Sequence, residues 1–135
     1  MGWQYRHGGI GFIHIFAGQS QGFAKLFEEA KERGDSVIDI TDVEPDSMEA
    51  VLKYLYDYDM QTICKDFNMV FDLLDAAERY SIKTLIKGCE QYMQLLGDSK
   101  YDRVSPMVLV ETFVICFRLQ LETVQKRLVG SLKRK

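Results

Sequence analysis

At 135 residues, 47% of them hydrophobic and 27% charged, the sequence has the size and make-up of one globular domain. It contains no run of eighteen apolar residues, which excludes a membrane-spanning helix. A net charge of −3 at pH 7 and a pI near 5.4 argue against nucleic acid as the main partner, because that binding is carried by an excess of Lys and Arg.

In chain order, Met1–Gly11 holds four glycines and shows neither strand nor helix period, so it is expected to be an irregular start. It also lacks the basic opening and apolar core of a secretory signal, which predicts an intracellular protein of cytoplasm or nucleus. Apolar residues then thicken at Phe12, Ile13, Ile15 and Phe16, in strand or helix. Phe23, Leu26 and Phe27 follow at helical spacing behind Ser20, a natural N-cap. The charged Glu28–Ser36, with Gly34–Asp35 near its end, predicts a solvated helix end and a turn.

The centre of the chain is 37–60. Val37, Ile38 and Ile40 alternate with Asp39 and Thr41 as a half-buried strand would. Pro45 suits a first helical position, and Asp46 and Glu49 complement the helix dipole there. Met48, Val51, Leu52 and Leu55 then form an apolar stripe that needs covering. Asp59–Cys64 is expected to be a short strand or an extended link.

Two helical hairpins are predicted after it, over 66–96 and 105–133. In the first, Asp66 caps a helix carrying Phe67, Val70, Phe71, Leu74 and Ala77. Ser81 caps a second with Ile82, Leu85, Ile86, Cys89, Met93 and Leu96, which Gly97 stops. In the second hairpin, Ser105–Pro106 opens a helix whose stretch Val108–Phe117 is apolar on nearly every side, and is therefore expected to be deeply buried. Leu121, Val124, Leu128 and Leu132 make one stripe after the break at Leu119–Gln120. A shift of 39 places lays Leu121 on Ile82, Val124 on Leu85 and Arg118 on Arg79, a weak internal repeat.

Residues for chemistry are sparse. The sequence has no phosphate-binding loop, no dinucleotide fingerprint, no HExxH and no GxSxG. Its two histidines, His7 and His14, both lie in the unpatterned start, leaving acid/base catalysis little to work with. Cys64, Cys89 and Cys116 are far apart and show no metal spacing, so they are expected to be core thiols. Asp57–Tyr58–Asp59 lacks a ligand loop and is expected to be a cap and turn. Lys133–Arg134–Lys135 fits a solvated helix end. No enzyme activity, cofactor, metal, nucleic acid or membrane partner is expected.

Several segments together resemble the BTB/POZ domain family. They are Ile40–Asp42–Val43–Glu44–Pro45 with Val51–Leu52–Tyr54–Leu55–Tyr56, then Leu73–Leu74–Asp75–Ala76–Ala77–Glu78–Arg79–Tyr80, and earlier Ala17–Phe23 with Leu26–Phe27. The family places a β-hairpin before the first helix, for which Met1–Gly11 is too short and Gly-rich. The resemblance implies an α+β, mostly helical fold, with a small β-sheet flanked by a cluster of helices including two αα-hairpins, truncated at its start. It further implies one domain over 12–135 and a protein interaction module that dimerises and, in many members, recruits a cullin scaffold of a ubiquitin ligase. The cullin-type contact carries over to Ala30 and Glu32, with Leu119 and Gln120 nearby. Self-association carries over to Phe12, Phe16 and Phe23, which are expected to form an uncovered apolar surface. The alternative is a purely structural helical oligomerisation scaffold with no cullin link.

Overall fold

The computed structural model describes residues 3–6, 18, 20–34, 37–40, 43–56 and 59–135. Two strands, β1 (Trp3–Arg6) and β2 (Val37–Ile40), pair antiparallel with Trp3 opposite Ile40 and Arg6 opposite Val37. Among the described residues this two-stranded ribbon is all the sheet there is, and beyond it the small β-sheet flanked by helices that the resemblance implies is not supported. Over Trp3–Arg6 alone, the ribbon nevertheless corrects the expectation of an irregular start. Trp3, Gln4, Tyr5 and Arg6 alternate aromatic with polar, a strand period that the surrounding glycines obscure.

The rest is mostly helical, and its helix ends follow local chemistry. Helix α1 (Gln21–Arg33) starts at Ser20, whose hydroxyl accepts from the Phe23 amide at 3.1 Å. It stops at Gly34, in the left-handed conformation with φ 75°, which a glycine adopts without steric cost. Helix α2 (Pro45–Leu55) begins on its proline and buries Met48, Ala50, Val51 and Leu55. Residues 60–63, expected to be extended, form a short helix α3 (Met60–Ile63), because Asp59 accepts from the Thr62 amide at 2.7 Å and starts a turn.

The first hairpin is α4 (Met69–Arg79) and α5 (Lys83–Leu95). After the one-turn α6 (Asp98–Tyr101), the second is α7 (Pro106–Leu119) and α8 (Glu122–Arg134). Ser105 caps α7 through the Val108 amide, as its sequence predicts. Ser81 does not cap α5: it sits at φ 54° in the connecting turn, and Ile82 is the residue before the helix.

Helix α4 is the hub, packed against α2, α5 and α7, while α8 lies on α7, α5 and α6. One core joins these layers, with Met48, Leu73, Leu74, Leu85, Met93, Leu109 and Leu128 fully buried. Tyr101, also fully buried, ties the hairpins together. Its hydroxyl donates to the Met93 carbonyl, its edge meets Phe71, and the Arg127 guanidinium lies 4.8 Å over its ring. No helix among the described residues is long and apolar enough to cross a membrane.

Candidate interaction surface

Helix α7 carries more apolar side chains than its neighbours can cover. Leu109, Thr112, Ile115 and Cys116 are buried. Met107, Val110, Val114 and Phe117 are 71%, 50%, 43% and 68% exposed, and they line one face at spacings of three, four and three. The expectation that Val108–Phe117 is deeply buried is therefore wrong for half the helix. The reason is its position in the stack: α4 has helices on three sides, whereas its counterpart α7 packs mainly on α4 and α8.

The exposed face forms a ridge between two grooves of mixed charge, the first lined by Asp72, Asp75, Glu111, Arg79 and Arg118, the second by Glu122, Lys126 and Lys133. On one side, a groove of about 480 Å³ separates α7 from α4, over Phe71, Thr112 and Ile115, with Asp72 and Glu111 on its rim. Burial, then the neighbouring Asp75 and Glu44, push the Asp72 carboxyl above its ordinary range. One end is closed by Arg118, whose guanidinium makes two bonds of 2.8 and 2.5 Å to Glu78. Because this pair joins the ends of two helices that lie side by side, α4 and α7 run parallel. On the other side, a groove of about 450 Å³ between α7 and α8 holds Phe113, Val129 and Gly130, with Lys126 and Lys133 exposed above them. Asp72, Glu111, Lys126 and Lys133 form no ion pair among the described residues.

The residues singled out from sequence fall in different places. Phe23 is 1% exposed and stacks on Tyr80 with ring centroids 4.5 Å apart, so it is core and not an uncovered surface. Its position follows from the first turn of α1, where the Gly22 amide and the Ser20 hydroxyl both donate to the Tyr80 carbonyl. Phe12 and Phe16, with His7, His14, Asp57 and Tyr58, lie outside the described residues. Ala30 is wholly buried and offers no surface, while Glu32, two places on, is exposed. Leu119 is half-buried and Gln120 exposed, at the Arg118 end of α7. That end adjoins Glu78 and Tyr80, hence the start of α1, whereas Glu32 lies at the far end of that helix, about 18 Å along it at 1.5 Å per residue. The α7 ridge was not anticipated, although Met107, Val110, Val114 and Phe117 spell the narrow seam of a coiled coil.

Residues 14–95 match the sequence model of the BTB/POZ domain, more than half of the chain. The chain belongs to the BTB/POZ domain family. Comparison with curated proteins gives no significant match. The BTB/POZ domain is a protein–protein interaction module, and here its matched part ends where α5 ends. The α7–α8 hairpin, with its ridge and two grooves, follows that part.

All three thiols are interior. Burial pushes Cys64 up to about 11 and Cys116 up to about 12, and holds Cys89 well above the ordinary thiol range. Among the described residues, no group of three or more His, Cys, Asp or Glu could hold a metal ion.

Proposed function

We propose that this BTB/POZ domain is a non-enzymatic interaction module that self-associates and recruits a cullin-type scaffold inside the cell. The observation that carries the reading is the α7 ridge, four apolar side chains left open on a folded domain whose family works by binding proteins. Glu32 and the turn Leu119–Gln120 carry the scaffold contact. Glu32 and Gln120 are exposed and Leu119 is half-buried, so both segments offer side chains to a partner. Ala30 supports that contact only from within, by seating the helix that presents Glu32. Supporting the non-enzymatic reading, both grooves are open surface features and the cysteines are buried away from them.

Co-precipitation with purified cullin N-terminal domains tests the recruitment. Retention of a cullin by the parent and its loss in Glu32→Ala supports the reading. No retention of any cullin by a folded parent removes it, and leaves a structural oligomerisation scaffold if the chain still self-associates.

A further inference from the structure

We infer that the α7 ridge and the groove beside it seat a helical hairpin of a partner protein, stacked on α7 and α8 as these are stacked on α4 and α5. The inference rests on the reading of the ridge as a protein-binding surface and names the build of what binds there.

The two hairpins of this chain are successive units of one stack. Shifted by 39 places, α5 (Lys83–Leu95) falls end for end on α8 (Glu122–Arg134), and α4 (Met69–Arg79) falls within α7 (Pro106–Leu119). Helix α7 lies on α4 and runs parallel to it, and α8 lies on α5. Each helix of the second hairpin is thus laid on its own counterpart in the first.

The same shift identifies the ridge. On α4, the side turned to α7 carries Phe71 and Asp75, which line the groove between the two helices, and Glu78, which binds Arg118. Their counterparts on α7 are Val110, Val114 and Phe117, three of the four ridge residues. Phe71 is 5% exposed beneath α7, whereas Val110 is 50% exposed. The furrow within each hairpin agrees. Burial, then the carboxylates of Glu90 on α5 and Glu78 on α4, raise the Cys116 thiol, so α7 rides over the α4–α5 furrow, where Leu74 is fully buried. One unit on, the counterpart furrow is the open groove of about 450 Å³, with Phe113 in the place of Leu74 and Val129 in the place of Glu90. The ridge and this groove are a second, unfilled copy of the seat that α7 and α8 occupy.

The differences between the two copies give the chemistry of the occupant. A unit that ends a stack needs a polar outer face. Here Val114, Phe117 and Val129 stand where the first hairpin has Asp75, Glu78 and Glu90, so the outer face becomes more apolar where a terminal unit would become less so. The incoming helix runs parallel to α7 and presents branched apolar side chains at the spacing of Val108, Thr112 and Ile115. It carries an apolar residue where α7 has Arg118, because Phe117 replaces the carboxylate that Arg118 binds.

A tethered hairpin tests this, since the tether supplies the local concentration of a partner. Residues 97–135 are appended a second time after Lys135, which keeps the 39-place spacing. The appended copy carries Arg118→Leu to meet Phe117, and Val114→Glu with Phe117→Lys to give it a polar outer face. Val114→Cys in the original hairpin is the reporter, because the native thiols are interior. The appended copy is expected to add helix by circular dichroism and to slow the reaction of the thiol at position 114 at least tenfold, relative to the unextended chain with the same substitution. A thiol placed by Lys53→Cys on α2, away from the ridge, should keep its rate. An appended copy that folds but leaves position 114 reactive, or that adds no helix, overturns the inference. Protection of position 114 in the unextended chain also overturns it, and sedimentation then separates two cases. If that chain is a dimer, a second copy holds the ridge and the protein-binding reading stands; if it is a monomer, the chain covers its own ridge and both fall.

Discussion

Ser81 and Gln120 occupy the same left-handed turn in two successive hairpins, with φ 54° and 60°. Around each, the hydrogen bonds repeat. The Ser81 amide donates to Glu78 and the Gln120 amide to Phe117, both at 3.2 Å, and the next amides, of Ile82 and Leu121, reach Ala77 and Cys116, both at 2.9 Å. Every partner is displaced by the same 39 places found in the sequence, so the weak repeat marks one helical unit used twice.

The turn makes Gln120 a sensitive position. A β-branched residue there would clash in the left-handed region, so Gln120→Val should cost about 1–2 kcal/mol, while Gln120→Gly should be neutral or slightly stabilising. Urea unfolding of the two variants checks the order. Equal midpoints would mean that the turn relaxes to another conformation.

Gly22 should tolerate no side chain. A Cβ built there would stand 2.8 Å from the Tyr80 Cα, which is backbone and has little room to move. Gly22→Ala should therefore lose about 1–3 kcal/mol by forcing α1 away from Tyr80 and breaking the Phe23–Tyr80 stack. Gly18→Ala, with nothing within 4 Å of its Cβ, is the control and should melt like the parent.

The thiols give a kinetic prediction. With Cys64 at about 11, Cys116 at about 12 and Cys89 also raised, almost no thiolate exists near pH 8 in the folded chain. A disulfide reagent should react slowly with native protein and promptly with three thiols after denaturation. One cysteine reacting at the rate of a free thiol in the native state would show a local opening.

Acid should loosen the second hairpin. Arg134, then Ser131, hold the Asp102 carboxyl below its ordinary range, and the Arg134 bond spans 2.7 Å from the end of α8 to the residue after α6. The folded value lies below the unfolded one, so this contribution is present above the unfolded value, about 3.9, and is lost as pH falls through the folded one. Asp102→Asn should be less stable than the parent at neutral pH and converge with it in acid. A constant difference down to about pH 2 would place the effect elsewhere.

Much of the fold was legible in the sequence because it is built from local signals. Ser20, Pro45, Ser105 and Pro106 open helices as their chemistry predicts, and the 39-place repeat announced the hairpins. Ser81 misled because a hydroxyl before an apolar stripe suits an N-cap and a left-handed turn alike. Burial was less legible. The composition of α7 says apolar, but how many neighbours a helix has depends on where the stack ends, which is a tertiary fact. Phe23 failed the other way: no local pattern shows that Tyr80, far along the chain, lies against it.

The proposed scaffold contact separates into two residues that should behave oppositely. Ala30 is wholly buried in the last turn of the helix, which runs to Arg33 and is capped by Gly34, whose amide bonds back to the Ala30 and Lys31 carbonyls. A larger side chain at Ala30 therefore has no solvent to enter and must displace the core. Ala30→Met should cost about 1–3 kcal/mol and weaken any scaffold binding only in proportion to the fraction unfolded. Glu32 faces solvent, so Glu32→Ala should leave the melting temperature within about a degree of the parent while reducing cullin capture. Measuring both variants by thermal denaturation and by binding, at a temperature where Ala30→Met remains folded, distinguishes a contact from a support. If Ala30→Met binds more tightly with unchanged stability, α1 presents this residue to the partner after all, and the core around it must open on binding.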